Sequence, residues 1–186
     1  MEPDEILLDS EDKMDKTVDS LQTSLQSIRT GRANPMLVDR ISVDSYGAKT
    51  PLKGVASISV PEPRVLAIQP WDTSLISAIE KAILASDLGI TPANDGRVIR
   101  LNMPDMTEDR RRDMVKIAKS RGEDSKVSVR NIRRDSNNSL KKLVKDKTIT
   151  EDDNKEYQKQ IQDATDGHIV KIDALVANKE KDIMEV

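Results

Sequence analysis

The spacing of apolar residues changes along the chain, and no single kind of element accommodates every part of it. In residues 1–30, Leu7, Met14, Val18, Leu21, Leu25 and Ile28 follow a heptad, with one apolar position missing near Glu11. A narrow seam of this kind belongs to a helix packed against other helices. Acidic residues crowd its first turns, where they favour the helix dipole, and Gly31, Asn34 and Pro35 end it. The middle of the chain changes to a period of two. Ile41 and Val43 alternate with polar residues, Tyr46-Gly47-Ala48 reads as a turn, and strands are expected over 55–60 and 64–69, separated by Pro61-Glu62-Pro63. Asp72 or Thr73 can cap a short helix with the apolar face Leu75, Ile76, Ile79, Ile83 and Leu84. Asn94-Asp95-Gly96 is a turn before a last strand at 97–101.

From Thr107 the helical period returns. Thr107 is a cap with Glu108 and Asp109 in the first turn, and Val115, Ala118, Gly122, Ser125, Val129, Ile132, Ser136, Ser139 and Leu143 alternate spacings of three and four. A continuous helix over 107–147 is roughly 60 Å long. Thr150 with Asp153 is a capping-box signal for a final helix lined by Tyr157, Ile161, Thr165, His168, Ile172, Val176 and Ile183. The short linker makes the last two helices antiparallel neighbours. Alone, they leave one side of each stripe wet, and the first helix supplies the missing face. The expected fold is therefore α+β. Residues 1–30 and 105–186 form an elongated three-helix bundle, and residues 31–104 form an inserted β/α/β domain. The two connections carry Thr30, Gly31, Met103 and Pro104, which read as the hinge.

Composition supports thin helices. The chain has no Phe, one Trp and two Tyr among 186 residues, so its core must be aliphatic. Trp71 follows a strand and precedes a helix, where packing is its expected role and contact with a partner the alternative. With no Cys, disulfides and thiolate metal sites are excluded. The acidic first dozen residues read as neither a signal nor a transit peptide, and no stretch reaches the ~20 apolar residues of a membrane span, so the expected location is the cytoplasm. An enzyme needs a positioned acid, base, nucleophile or metal. The only His, His168, lies on an apolar helical face and reads as a core or boundary residue. No Gly-rich loop precedes a Lys-Ser/Thr pair. The expectation is a protein that is not an enzyme and carries no cofactor.

The net charge of −3 hides a segregation. Residues 105–147 carry 14 basic and 8 acidic residues, whereas 1–30 and 148–186 are both acidic. A mildly acidic protein of this design can dock on a polyanion through one face. The strongest signal is Val129-Arg130-Asn131-Ile132-Arg133-Arg134-Asp135. Arg130, Arg133 and Arg134 stand at i, i+3 and i+4 and share one side, where guanidinium groups suit phosphate geometry. A solvated face pairing with the acidic helices is the competing reading of that spacing. Arg110-Arg111-Arg112 is a weaker signal, because consecutive residues fan around a helix.

Ser27-Ile28-Arg29-Thr30-Gly31-Arg32-Ala33-Asn34-Pro35 resembles the segment that leaves the first helix in ribosome recycling factors. Glu80-Lys81-Ala82-Ile83 and Ser86-Asp87-Leu88-Gly89 resemble that family's small-domain helix and loop, and the motifs around Arg110 and Arg130 its long basic helix. The resemblance covers roughly residues 10–185 in one order. It implies an L-shaped, two-domain monomer. It implies that the helical domain binds large-subunit ribosomal RNA of the post-termination ribosome. Elongation factor G would engage the small domain and, through its own GTP hydrolysis, drive subunit dissociation and release of mRNA and tRNA. Carried over by position, Arg29, Gly31, Arg32, Arg130, Arg133 and Arg134 are the RNA-contact residues, with Gly31 allowing close backbone approach. Arg130 is about 25 residues into its helix, which places it roughly 35–40 Å from the hinge end. The alternative is a helical protein-binding scaffold or chaperone without RNA function.

Overall fold

In the computed structural model, which describes residues 1–185, the elements in chain order are helix α1 (Pro3–Gln26), strands β1 (Ser42–Ser45) and β2 (Ala48–Pro51), the one-turn helix α2 (Leu52–Val55), strands β3 (Ala56–Glu62) and β4 (Val65–Pro70), helix α3 (Ile76–Ala85), strands β5 (Ala93–Asn94) and β6 (Ile99–Asn102), and helices α4 (Glu108–Lys145) and α5 (Glu151–Met184). They divide into two compact units, residues 1–28 with 111–185, and residues 29–110.

The helical unit holds α1, most of α4, and α5. Pro3 opens α1 at a position where its missing N–H costs nothing, and the Glu5 carboxylate accepts the Glu2 N–H at 2.8 Å. The gap in the apolar seam near Glu11 is filled by Ser10, which is fully buried and donates its hydroxyl to the Leu7 carbonyl at 2.7 Å. Ile6 rather than Leu7 is the buried residue one turn earlier. α4 runs unbroken for 38 residues. Its buried line is Met114, Ala118, Gly122, Val129, Ser136 and Leu140, whereas Val115 is half-buried and Ser139 exposed. The expected stripe followed a heptad, but a helix this long keeps its 3.6-residue period, so the two drift apart toward the ends.

Cross-helix pairs fix the directions. Lys119 meets Glu180 and Lys126 meets Asp173, so α5 runs antiparallel to α4. The Tyr157 hydroxyl donates to Asp4 and His168 meets Asp15, so α1 runs parallel to α5, and their backbones pack closely. Gly122 faces Val176 so closely that a Cβ on the glycine would lie 2.5 Å from Val176 Cγ2. Between α4 and α5, Lys147 takes the left-handed conformation, and the N–H groups of Lys147 and Thr148 bond the Val144 and Leu143 carbonyls in a Schellman ending. Thr150 and Asp153 then exchange capping bonds at the start of α5.

The second unit is a small α+β body. β1 and β2 form a hairpin whose turn residues Tyr46 and Gly47 both have positive φ, the type I′ geometry that matches strand twist. β3, β4, β6 and β5 form a four-stranded antiparallel sheet in that order. The core beneath is aliphatic, with Val43, Leu52, Leu66, Ile68, Ile79, Ile83, Ile99 and Leu101 all essentially inaccessible. The expected strand at 55–60 begins at Ala56 because residues 52–55 form a helical turn, and Pro61 and Glu62 extend it rather than end it. Leu84 is exposed, one position off the line that buries Ile79 and Ile83. Trp71 is also exposed, contrary to its expected packing role. Alternation after Ile68 turns Gln69 and Trp71 outward, and the aliphatic core is already filled.

Candidate nucleic-acid interface

α4 carries its basic residues in two physically different settings. The first setting ties helices together. The Arg121 guanidinium is half-buried and donates to the Ser24 carbonyl at 2.6 Å and to the hydroxyls of Ser24 and Ser27, each at 3.1 Å. It thereby closes the last turn of α1, where carbonyls lack intrahelical partners. Lys126 sits between Asp173 at 2.5 Å and Glu123 at 3.1 Å. The hydrogen bond to Asp173, followed by that to Glu123, raises the affinity of its amine for a proton. Arg133 is half-buried and donates to Gln162 Oε1 at 3.0 Å, and Gln162 in turn donates to Asp166.

The second setting is open. Arg130 and Arg134 are exposed, and neither is engaged by an ion pair or side-chain hydrogen bond among the described residues. The three arginines of the motif therefore do not share one outward side. Arg133 turns toward α5 because it lies one turn from both Val129 and Ser136 in the buried line, whereas Arg130 and Arg134 are rotated further around the helix. Lys141 and Lys145 continue the same exposed face at helical spacing. Sequence reading passed over these lysines, although their i, i+4 spacing and the basic excess of this segment were visible.

Several carboxylates of α1 and α5 are engaged by other cations of the helical unit. Asp173 and Glu180 hold Lys126 and Lys119, and Asp15 holds His168 and Lys171. The Asp15 carboxyl is held below its ordinary value, chiefly by the hydrogen bond from His168. Both ring nitrogens of the buried His168 are occupied, Nδ1 by the Ala164 carbonyl at 2.6 Å and Nε2 by Asp15 at 2.7 Å, which fits the expected boundary role. Toward the far end of α5, burial pushes the Lys179 amine below its ordinary value, with the Asp182 charge opposing. Arg121 marks the level of the last turn of α1, and Arg130 lies nine residues beyond it, about 14 Å along the helix axis. Counted instead from Glu108, where α4 begins, Arg130 lies 22 residues along the helix, about 33 Å.

The remaining expected residues lie in the other unit. Arg29 is exposed, and its guanidinium reaches the Asp87 carbonyl at 3.4 Å. Gly31 has φ of +78° with open space where a Cβ would stand, so the left-handed backbone there is what calls for glycine. The Arg32 N–H bonds the Thr30 hydroxyl at 3.3 Å. Of the expected hinge residues, Met103 is packed into the sheet core. Its N–H donates to the Arg64 carbonyl at 2.8 Å, and its carbonyl accepts from the Arg64 guanidinium at 3.0 Å. Arg64 also pairs with Asp105. Pro104 is exposed.

Residues 21–184 match the family model described as ribosome recycling factor. A protein named ribosome-recycling factor from Brevibacillus brevis is 52% identical over 184 residues, covering 99% of this chain and 100% of the relative. Its counterpart from a Geobacillus species is 55% identical over 98% of both chains. Among solved structures, the solution structure of a ribosome recycling factor superposes with a TM-score of 0.79 at 38% identity, covering 100% of this chain and 99% of the other. A second match is the T. thermophilus ribosome recycling factor, described together with E. coli elongation factor G bound to the E. coli post-termination complex. It has a TM-score of 0.68 at 40% identity, with both chains fully covered.

Proposed function

The chain belongs to the ribosome recycling factor family, and from that premise we propose that it binds the post-termination ribosome and, together with elongation factor G, separates the subunits and releases mRNA and tRNA. The observation that supports a grip on ribosomal RNA is the pair Arg130 and Arg134, exposed and without ion-pair or side-chain hydrogen-bond partners among the described residues, on a continuous helix. Free guanidinium groups on a stiff element suit phosphate oxygens, because little side-chain pairing has to be broken before they bind. Lys141 and Lys145 extend the same face, while Arg29 and Arg32 offer further cations on the other unit. In this reading the partner is large-subunit ribosomal RNA, and the protein acts as a monomer in the cytoplasm.

Arg133 belongs to this reading in a supporting role. Its bond to Gln162 holds α4 against α5 beneath the free arginines. The unit of residues 29–110 is the part that elongation factor G engages. GTP hydrolysis by that partner supplies the work, and this chain performs no chemistry of its own. What it contributes is charge at fixed spacing and a helical body that resists bending.

Splitting of purified post-termination ribosomes tests this function. Subunits should separate only with the chain, elongation factor G and GTP all present. Co-sedimentation with 50S subunits in dilute and concentrated salt tests the grip. Replacing Arg130 or Arg134 with alanine should weaken binding, and each lost phosphate contact should lower the log–log salt slope by roughly 0.7–0.9. A parent chain that stays in the supernatant in dilute salt would refute the function and favour a protein-binding scaffold.

A further inference from the structure

The chain has only three Trp and Tyr residues, one Trp and two Tyr, and two of them are exposed on the unit of residues 29–110. Tyr46 is 81% exposed at the tip of the β1–β2 hairpin, and Trp71 is 69% exposed just beyond β4. They are joined through Asp72: the Tyr46 hydroxyl donates to Asp72 Oδ2, and Trp71 is the preceding residue. The other carboxylate oxygen, Oδ1, accepts the Ser74 N–H at 3.0 Å and the Ser74 hydroxyl at 2.8 Å. The Trp71 N–H is fixed to the Val55 carbonyl at 3.1 Å. Hairpin tip and strand end are thus held together by one carboxylate, with both aromatic side chains left to solvent.

Leaving such residues wet is costly, since Trp and Tyr each cover about 150–250 Å² when buried. The aliphatic core of this unit takes neither. Exposed Trp and Tyr side chains held on a fixed backbone are the residue types that dominate binding energy at protein interfaces. Charge narrows the partner. Hydrogen bonds from Tyr46 first, then Ser74, hold the Asp72 carboxyl below its ordinary value, so it is ionised at neutral pH. Asp72 has no ion-pair partner among the described residues. The nearby lysine on the hairpin, Lys49, is opposed by Asp44 in the strand register. A nucleic-acid backbone would meet an uncompensated negative charge here. A cationic side chain would meet both a carboxylate and aromatic faces, which attract cations through their ring quadrupoles.

We infer that Tyr46, Trp71 and Asp72 form a docking surface for a protein that presents an arginine or lysine beside an apolar contact. This deepens, and rests on, the reading in which elongation factor G engages this unit, and it assigns that engagement to these three residues. These residues belong to a different unit from Arg130 and Arg134, so ribosome binding and partner engagement should respond to different substitutions.

The experiment compares the parent chain with Trp71→Ala and Asp72→Asn, in co-sedimentation with ribosomes and in ribosome splitting at limiting elongation factor G. Asn keeps the side-chain oxygen that caps Ser74, as Asn34 does for the Met36 N–H in the turn before β1, while removing the charge. Should Trp71→Ala prove to melt early, Asp72→Asn decides the question. Both variants should sediment with ribosomes as the parent does. Trp71→Ala should need about tenfold or more elongation factor G for half-maximal splitting, and Asp72→Asn a severalfold excess. An unchanged requirement in both variants, beside a parent that splits ribosomes, overturns the inference alone. Loss of ribosome binding by folded variants overturns it in favour of a contact with the ribosome. A parent that splits nothing overturns the proposed function and this inference with it.

Discussion

Replacing Gly122 with alanine tests whether the close approach of α4 and α5 is built into the helical unit. Two effects oppose each other. In a helix interior, alanine is favoured over glycine by about 0.8–1.0 kcal/mol. At Gly122, however, the new Cβ would lie 2.5 Å from Val176 Cγ2, whereas carbon atoms pack best at roughly 3.5–4.0 Å. Val176 is β-branched and has few rotamers to retreat into, so the helices must move apart or the valine must leave its well. Overpacking of this kind costs about 1–3 kcal/mol. The clash therefore outweighs propensity, and Gly122→Ala should destabilise by up to about 2 kcal/mol. Gly167 on α5 provides the internal control, because a Cβ there meets nothing within 4 Å. Gly167→Ala should express the propensity gain alone and stabilise by up to about 1 kcal/mol. Urea unfolding of the full chain, followed by far-UV circular dichroism, should rank the midpoints with Gly167→Ala highest and Gly122→Ala lowest. Adding Val176→Ala to Gly122→Ala should relieve the clash and give a coupling of about 1–2 kcal/mol in a double-mutant cycle. The reasoning fails if Gly122→Ala stabilises as much as Gly167→Ala and shows no coupling to Val176.

Asp15 should contribute to acid stability. Its carboxyl is held below the ordinary value of 3.8 by His168 and then by the charges of His168 and Lys171. That stabilisation is therefore present above about pH 3.8 and is lost as pH falls through the lower folded value. Asp15→Asn should lower the melting temperature near neutral pH and shrink the further drop below pH 4, and matching acid profiles would exclude the role. Thr150→Ala should cost about 1 kcal/mol by removing the cap of α5, with the Asp153 carboxyl, now held low chiefly by Thr150, moving back up when followed by NMR titration. Arg133→Ala should lower the melting temperature through the lost Gln162 bond as well as any effect on ribosome binding, whereas Arg130→Ala should change ribosome binding alone. Equal melting of the two variants would show that the Arg133 bond contributes nothing to the bundle.

The features that sequence resolved well are those decided within a few residues. The Thr150 cap and the Tyr46-Gly47 hairpin turn are local, and both stand where the spacing placed them. The helical stripe on α5 also held, with Ile161, Thr165, His168 and Ile172 all buried. What escaped was decided by residues distant in sequence. Ser10 looks like a break in a seam until α4 and α5 close over it. Trp71 looks like core until the sheet is filled by Leu66, Ile68, Ile99 and Leu101. Arg133 looks equivalent to Arg130 and Arg134 by spacing. Only the placement of Gln162 on the neighbouring helix separates the arginine that ties from the arginines that are free.

That separation explains how one helix can carry two kinds of cation. A bundle with Ala118, Gly122 and Ser136 in its seam gains little buried area per turn, because small side chains remove little apolar surface from water. Its stiffness must then come from length, close backbone approach and cross-ties at intervals. Arg121, Lys126 and Arg133 supply ties on α4, each spending its cation on a neighbouring helix. A tied cation has less to offer an external phosphate, since binding would first have to break a formed pair. Arg130 and Arg134 are interleaved with the ties on the same helix and carry no such cost. One helix can thus serve as both beam and contact surface. The spacing of its outward charges is set by a backbone that the inward charges hold still, which is why altering a tie should perturb the contact surface while altering a free arginine should leave the beam intact.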